Sequence, residues 1–302
     1  MLEFSATSLD ELRRLLKSNS DSGNFCFRGQ SNSSWGLVPT VFRGIESFPD
    51  WEDQMDSIHN SERDCHREFR DECAKDDLGF LDTLDWLAFE QHHGAPTRLL
   101  DWTHQLKIAT FFAVAGNDSE DGAVFAFDLT KFPFHKGLGR QHPNGGFDLE
   151  RIRKYCGGVE PLFTQPASRP IDPNTGIYLD EERPIPESTF VMWRPSRSHN
   201  RLQQQQGLLS FYLSFRANDF EVDLLPYFEL VEQRSGEAFL YKVTLPFSSK
   251  ESIRLDLCQE GIDEFSVYGG MDNLGKRVAR RHQDRLSNLG PNRSNNAIHR
   301  SR

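Results

Sequence analysis

Residues 87–113 read LAFEQHHGAPTRLLDWTHQLKIATFFA, and they contain the clearest succession of structural signals in the chain. Their first part completes a run of apolar residues at helical spacing over residues 80–93, which predicts a helix. Gly94 suits the left-handed position that follows a helix, and Pro96 prevents the helix from continuing. We therefore expect this helix to end at the paired histidines.

The second part of the same stretch predicts a strand and then another helix. Residues 97–102 read as an extended segment, and residues 103–113 have the apolar spacing of a helix. Asp101 and Thr103 both have side chains that cap helices well, so either is a candidate N-cap. Their polar groups are thus expected at a strand end, where a scaffold presents side chains to a cleft.

Segments on either side carry further helix and strand signals. We predict a helix of about ten residues after Ser8, one or two surface helices over residues 51–77 and a helix over residues 250–260. Strands are predicted over residues 24–29, 123–129, 189–193, 208–213 and 237–245. Together these elements predict an α+β fold with a central mixed or antiparallel sheet flanked by helices.

The chain of 302 residues is expected to form one domain over residues 1–275 and a basic tail over residues 276–302. Residues 131–195 form a long excursion rich in proline and glycine, with one candidate helix at residues 147–156. The tail has eight basic residues and one acid, a net charge of +7 that leaves −17 on the rest. Such a tail suits a phosphate backbone or an acidic partner; a solubilising or frayed terminus is the alternative.

The composition argues against a membrane-spanning chain and a disulfide scaffold. No apolar run approaches the roughly 20 residues needed to cross a bilayer, and residues 1–16 lack the basic and apolar regions of a signal peptide. Five scattered cysteines are too few for a disulfide scaffold, so we expect reduced thiols. The sequence therefore predicts a cytoplasmic protein without membrane contact.

Three short segments place polar groups at the ends of apolar elements, namely residues 27–30 (FRGQ), 92–103 (HHGAPTRLLDWT) and 201–207 (RLQQQQG). Arg28 has a planar guanidinium that can bind a phosphate or carboxylate through two hydrogen bonds, and the glycine after it allows close approach to a ligand. A structural ion pair inside the fold is the alternative for Arg28.

These segments together resemble the FRG domain family, which takes its name from the Phe-Arg-Gly motif. The matching stretches are FRGQSNSSWGLVPTVFR (27–43), LAFEQHHGAPTRLLDWTHQLKIATFFA (87–113) and RLQQQQGLLSF (201–211), with a looser match at residues 257–276. The resemblance extends over most of residues 24–276. It implies a bacterial and phage-associated protein.

A second resemblance, to arginine-type mono-ADP-ribosyltransferases, implies a chemistry. In that family an aromatic-Arg-Gly strand comes first, a Ser-Thr-Ser strand end leads into a helix, and a Glu-x-Glu element comes last; DWTHQLKIATFF (101–112) is similar to the second element. The resemblance implies a sheet split around a cleft, with Arg28 holding the phosphates or ribose of NAD. It also implies that Asp101 and Thr103 shape the nicotinamide-ribose pocket and that Gln206 occupies the region of the catalytic acid. These four side chains are expected to converge on one pocket.

The third element departs from that family, because residues 203–206 are glutamines and no Glu-x-Glu is present. An amide can hydrogen-bond a ribose hydroxyl but cannot act as a general base. Either Asp101 or Glu264 supplies the acid, or transfer to an amine needs no strong base, or the fold only binds nucleotide. For Asp101, a salt bridge to Arg98 or Arg28 competes with a catalytic role.

We expect the other cofactor contacts to come from the same segments: Gly29, Gln30, His92, Thr97, Arg98, Trp102 and Arg201. A core position is the alternative for Trp102, and a structural role is the alternative for His92 or His93. No metal site is expected, because the histidines and cysteines lack zinc-ligand spacing.

The leading interpretation is an NAD-dependent ADP-ribosyltransferase-like toxin or phage-defence effector that modifies nucleic acid (RNA or DNA) or protein, with a cognate antitoxin as a further partner. A non-enzymatic nucleotide- or RNA-binding module acting through partners is the alternative, and a hydrolase using Asp101 and His92 or His93 is a third. The missing Glu-x-Glu favours the binding module. The clustering of Arg28, Asp101 and Thr103 favours an enzyme.

Overall fold

A seven-stranded sheet organises the part of the chain that the computed structural model describes, residues 1–16, 25–43, 51–73, 83–132, 190–195, 205–212 and 223–270. The strands are β1 Leu2–Ser5, β2 Phe25–Gln30, β3 Leu100–Thr103, β4 Gly122–Asp128, β5 Phe190–Trp193, β6 Gly207–Tyr212 and β7 Leu240–Leu245. The helices are α1 Leu9–Leu16, α2 Trp51–Cys73, α3 Thr83–His92, α4 Leu106–Val114, α5 Leu225–Ser235, α6 Lys250–Gln259 and α7 Glu264–Tyr268. None of these helices combines the length and apolar composition of a membrane span.

The strands lie in the order β1-β7-β4-β2-β3-β6-β5. β1 is parallel to β7, and the other neighbours are antiparallel. The predicted α+β class with a mixed central sheet is therefore confirmed. Each strand predicted within the described residues is present, with boundaries shifted by one to three residues.

The strand pairing between β2 and β3 is the shortest in the sheet. These strands pair at one position, Phe27 opposite Thr103, whereas β2 pairs with β4 along its whole length from Phe25 to Gln30. All seven strands nevertheless belong to one open sheet. The sheet is therefore not split in two, as the resemblance implied. Instead, β2 and β3 pair at one position and separate beyond it.

The two faces of the sheet carry separate hydrophobic cores. One face, called face A, includes Cys26 and Phe127 and packs against α5. The other, called face B, includes Phe27 and Val243 and packs against α1, α4 and α6. Because side chains alternate along a strand, Arg28 shares face A with Cys26.

Helix α4 lies very close to face B because glycines face it on two strands. A Cβ atom on Gly29 would lie 1.8 Å from the main-chain oxygen of Ala109, and one on Gly122 would lie 2.1 Å from that of Ala113. Neither distance is sterically possible. Gly29, which we expected to make room for a cofactor, instead makes room for the helix.

We expect Gly29→Ala to lower the free energy of unfolding by about 2–3 kcal/mol, because α4 must shift to admit the methyl group. Gly94→Ala is the matched control, since a Cβ there meets no atom within 4 Å and only the left-handed backbone (φ +85°) is strained. That strain costs about 1 kcal/mol. Urea unfolding of the two variants measures the difference, and equal losses would contradict the packing role of Gly29.

The start of α4 differs from the sequence prediction. The helix begins at Leu106, and its N-cap is Gln105, which makes no side-chain cap hydrogen bond. Thr103 stays in β3, where its hydroxyl accepts a hydrogen bond from the backbone N–H of Gln105 at 3.0 Å. β1, α5 and α7 were not predicted. The candidate helix at residues 147–156 lies outside the described residues.

Candidate functional site

Arg28 occupies the point where β2 and β3 separate. Its Nη1 donates a hydrogen bond to the main-chain oxygen of Asp101 at 2.8 Å. Its Nε is buried and has no hydrogen-bond partner among the described residues. No described carboxylate forms an ion pair with it, in contrast to Arg98, which pairs with Glu62. The ion pair considered for Arg28 is therefore not formed within the described part of the chain.

The surroundings of Arg28 disfavour its positive charge. Burial lowers the pKa of its guanidinium to about 10, the charge of Asp101 acts in the opposite direction, and the nearby charge of Arg43 lowers the pKa further. The group still carries its charge at neutral pH. A partly buried cation with few hydrogen bonds and a second cation nearby is stabilised when an anion binds.

The carboxylate of Asp101 is exposed and held by a neighbouring glutamine. Gln91 Nε2 donates to Asp101 Oδ2 at 2.8 Å, and Gln91 Oε1 accepts a hydrogen bond from the hydroxyl of Thr97. Sequence reasoning missed Gln91, although it directly precedes the paired histidines. Its amide fixes the carboxylate without neutralising it, and the salt bridges considered for Asp101 are not formed.

The four predicted catalytic side chains do not converge on one face. Thr103 is opposite Phe27, so Thr103 and Asp101 project towards face B, while Arg28 projects towards face A. Arg28 reaches the main chain of Asp101 rather than its carboxylate. We correct the expected convergence accordingly: the two side chains flank the same opening from opposite faces, because the register sets their alternation.

Thr103 and Gln206 both lie at the start of β6. The hydroxyl of Thr103 donates to the main-chain oxygen of Gln205, whose own side-chain amide donates to the main-chain oxygen of Val267 at 2.9 Å. Gln206 is exposed, with a left-handed backbone (φ +44°). Thr103 thus links β3 to β6 and, through Gln205, to α7. Gln206 is exposed to solvent directly before β6.

Several residues predicted to contact a cofactor have partners inside the protein. Arg98 is 5% exposed, and its Nε lies 2.9 Å and 3.0 Å from the two carboxylate oxygens of Glu62. Trp102 is in the core, and its indole N–H donates to Ser210 Oγ at 2.8 Å. For both, contact with a cofactor would require these bonds to break. The core alternative for Trp102 agrees with its position.

Gln30 and Thr97 also use their polar atoms within the fold. Gln30 Nε2 donates to the main-chain oxygen of Trp35 at 3.1 Å, and Thr97 is fully buried, with its backbone bonded to Thr40 Oγ1. Their positions support the walls of the site. Thr97 has no free polar group for a ligand, and the side-chain nitrogen of Gln30 is already bonded.

The paired histidines lie at the end of α3. The ring of His93 packs edge-on against Phe89, with centroids 4.5 Å apart, and the two histidine rings are 4.9 Å apart. Within the described residues, no group of three or more His, Cys, Asp or Glu side chains is placed to hold a metal ion. Arg201 lies outside the described residues.

Acid is expected to destabilise the junction between β3 and α4. Burial lowers the pKa of His104, whose Nδ1 lies 2.9 Å from the main-chain oxygen of Phe25. The unfolded chain therefore binds the proton more readily, and stability falls as the pH drops below about 6.5. Urea unfolding between about pH 8 and about pH 5 should show a steeper loss for wild type than for His104→Gln, and parallel curves would contradict the prediction.

The fold and the site define an α+β protein with a partly buried cationic site where two strands of a mixed sheet separate. Residues 23–122 match the family model described as FRG domain. The matched residues include β2, α3, β3 and α4, the elements that carry Arg28, Gln91 and Asp101. Searches of curated proteins and of solved structures each found no match.

Proposed function

We propose that this FRG-domain protein is an NAD-dependent ADP-ribosyltransferase-like enzyme in which Arg28 binds the pyrophosphate of NAD. The observation that supports this most is the state of Arg28, a cation with a buried, unpaired Nε and no described carboxylate partner. A guanidinium can donate two parallel hydrogen bonds to a phosphate. The proposal thus explains why the fold keeps a poorly satisfied arginine at this position.

In the proposed reaction, the glycosidic bond between nicotinamide and ribose breaks, and its electron pair leaves with neutral nicotinamide. The ribose gains positive charge in the transition state, which a fixed carboxylate stabilises. Asp101 is suited to this role, because its carboxylate is exposed and oriented by Gln91. It projects towards the opposite face from Arg28, but its charge acts on the Arg28 guanidinium across the opening between β2 and β3. The acceptor then bonds to the ribose carbon through a lone pair and loses its proton to solvent.

A specific observation favours the second candidate, a non-enzymatic nucleotide- or RNA-binding module. The third element offers Gln205, whose amide is bonded to Val267, and the exposed amide of Gln206. Neither can take a proton from an acceptor. Glu264, the other candidate acid, lies on α7. The same helix contains Val267, whose main-chain oxygen accepts the hydrogen bond from Gln205.

The biological setting is part of the same proposal. An enzyme that consumes NAD and modifies RNA, DNA or protein would act in the cytoplasm as a toxin or phage-defence effector, restrained by a cognate antitoxin. Cys26, Cys65 and Cys73 are free thiols, as expected in that compartment. No metal takes part in the proposed chemistry.

Release of nicotinamide from NAD tests the proposal, with purified protein alone and with added RNA, DNA or cell lysate. Asp101→Asn should reduce the release by about 100-fold, since a neutral amide stabilises the ribose charge poorly. Asp118→Asn is the matched control, because Asp118 is also exposed and pairs with Arg254 on α6. NAD binding without nicotinamide release under every condition would support the binding module instead.

Deleting residues 276–302 tests the nature of the acceptor. These residues carry a charge of +7, so the truncated protein should bind RNA or DNA more weakly and with a smaller dependence on salt. Binding measured over a series of salt concentrations gives both quantities. The same affinity and salt dependence as the full chain would favour a protein acceptor or an antitoxin contact for the tail.

A further inference from the structure

The segment that follows Arg28, residues 31–43, is held rigidly beside it. Asn32 Oδ1 accepts hydrogen bonds from the backbone N–H and the hydroxyl of Ser34, at 2.8 Å and 2.6 Å. Gln30 Nε2 bonds to the main-chain oxygens of Trp35 and Gly36 at 3.1 Å and 3.3 Å. Gln30 and Arg28 share face A two residues apart, about 7 Å along the strand. The backbone of Trp35 is therefore fixed next to the Arg28 site.

Trp35 is a large aromatic side chain exposed on this rigid segment. Its exposed fraction is 49%, and within the described structure its indole has no ring contact and no hydrogen bond. Exposed tryptophan on a fixed backbone is suited to stacking, because little conformational entropy is lost when a planar ligand binds. The proposed reaction at Arg28 does not use this side chain.

Arg43 brings a second cation to the same site. Its Nε donates to the main-chain oxygen of Val38 at 3.2 Å, and no described carboxylate pairs with it. The segment is anchored nearby, because Thr40 Oγ1 bonds both the backbone oxygen and the backbone N–H of Thr97, at 3.1 Å and 3.0 Å. The charge of Arg43 acts on the guanidinium of Arg28, and an anion that carries more than one charge would interact favourably with both cations.

We propose that residues 31–43 are the recognition segment for a nucleoside diphosphate, in which Arg43 contacts the phosphates together with Arg28 and Trp35 stacks on the base. This inference rests on the anion site of the proposed function and adds two ligand contacts to it. The diphosphate accounts for the paired cations, and the base accounts for the exposed indole.

Calorimetry with ADP and with inorganic pyrophosphate tests both contacts. Trp35→Leu should weaken ADP binding about tenfold and leave pyrophosphate binding unchanged, because only ADP carries a base. Arg43→Gln should weaken both ligands about tenfold, since both carry the phosphates. The base contact and the phosphate contact are thus read out separately.

Two control variants match these changes on the far side of the molecule. Arg14 is exposed on α1, and its Nε bonds a main-chain oxygen of its own helix, as that of Arg43 bonds its own segment. Phe4 is an exposed aromatic on β1, three strands from β2. Arg14→Gln and Phe4→Leu should leave ADP binding unchanged. A thermal melt of each variant checks that it is folded.

No ADP binding by wild type, or equal ADP binding by wild type and folded Trp35→Leu and Arg43→Gln, would overturn the inference. Tighter binding of a short single-stranded RNA than of ADP, with the same two variants affected, would replace the nucleoside diphosphate by RNA. ADP has no nicotinamide bond, so ADP binding without NAD cleavage would contradict the proposed enzyme and leave the recognition segment supported. NAD cleavage unaffected by both variants would contradict the recognition segment and leave the enzyme supported.

Discussion

Arg28→Ala is expected to reduce nicotinamide release from NAD by at least about 100-fold while leaving the protein folded. The guanidinium has one hydrogen bond and no described carboxylate partner, so its removal costs the fold little. Arg28→Ala loses the hydrogen bond to the main-chain oxygen of Asp101, which costs about 1 kcal/mol of unfolding free energy. Folding then no longer removes a guanidinium from water, and this gain offsets that cost. Arg28→Lys should restore little activity, because an ammonium cannot form two parallel hydrogen bonds to a phosphate.

Nicotinamide release and urea unfolding, measured on the same preparations, decide between a binding role and a structural role for Arg28. Arg14→Ala provides the control for loss of a positive charge. A loss of several kcal/mol of unfolding free energy in Arg28→Ala would indicate that the guanidinium stabilises the fold. Full activity of Arg28→Lys would indicate that a point charge suffices and that no forked contact is made.

Glu62→Gln is expected to lower the free energy of unfolding by about 3–5 kcal/mol. Glu62 is 2% exposed, and both of its carboxylate oxygens bond to the guanidinium of Arg98, while Oε1 also accepts the backbone N–H of Arg98 at 3.2 Å. The amide cannot compensate the buried positive charge. This pair joins α2 to the segment that enters β3, so its loss should loosen the support of Asp101.

The same variant decides the role of Arg98, which the sequence indicated as a cofactor contact. Urea unfolding of Glu62→Gln should show the loss, and Asp64→Asn provides the control, because Asp64 is exposed on the same helix and pairs with Arg67 at 3.3 Å. Unchanged stability combined with weaker ADP binding would instead return Arg98 to the binding site.

The candidate site was predicted only in part. Arg28 and Asp101 were recognised because each is a charged residue at the end of an apolar element, and the structure brings them into contact. Their opposite faces were missed, because the alternation of side chains becomes visible only when the register of β2 against β3 is known. Gln91 and Arg43 were missed because their roles depend on neighbours brought close by the fold.

The sequence by itself determined the local elements of this protein. Capping and turn residues, apolar spacing and strand composition act over a few neighbouring residues, so α1, β2, α3 and β4 could be predicted. Ser8 illustrates this, because its hydroxyl accepts the backbone N–H of Glu11 at 3.2 Å at the start of α1. The FRG resemblance also followed from short stretches, and the family match over residues 23–122 confirms it.

Only the tertiary structure decided which side chains are structural and which are available to a ligand. Helix α4 packs against Gly29, Arg98 pairs with Glu62, and Trp102 donates a hydrogen bond to Ser210. Arg28, in contrast, keeps an unpaired Nε. These partners are distant in sequence, and no local pattern encodes them. The physical reason is that burial and pairing depend on strand register and helix docking, which the whole chain determines together.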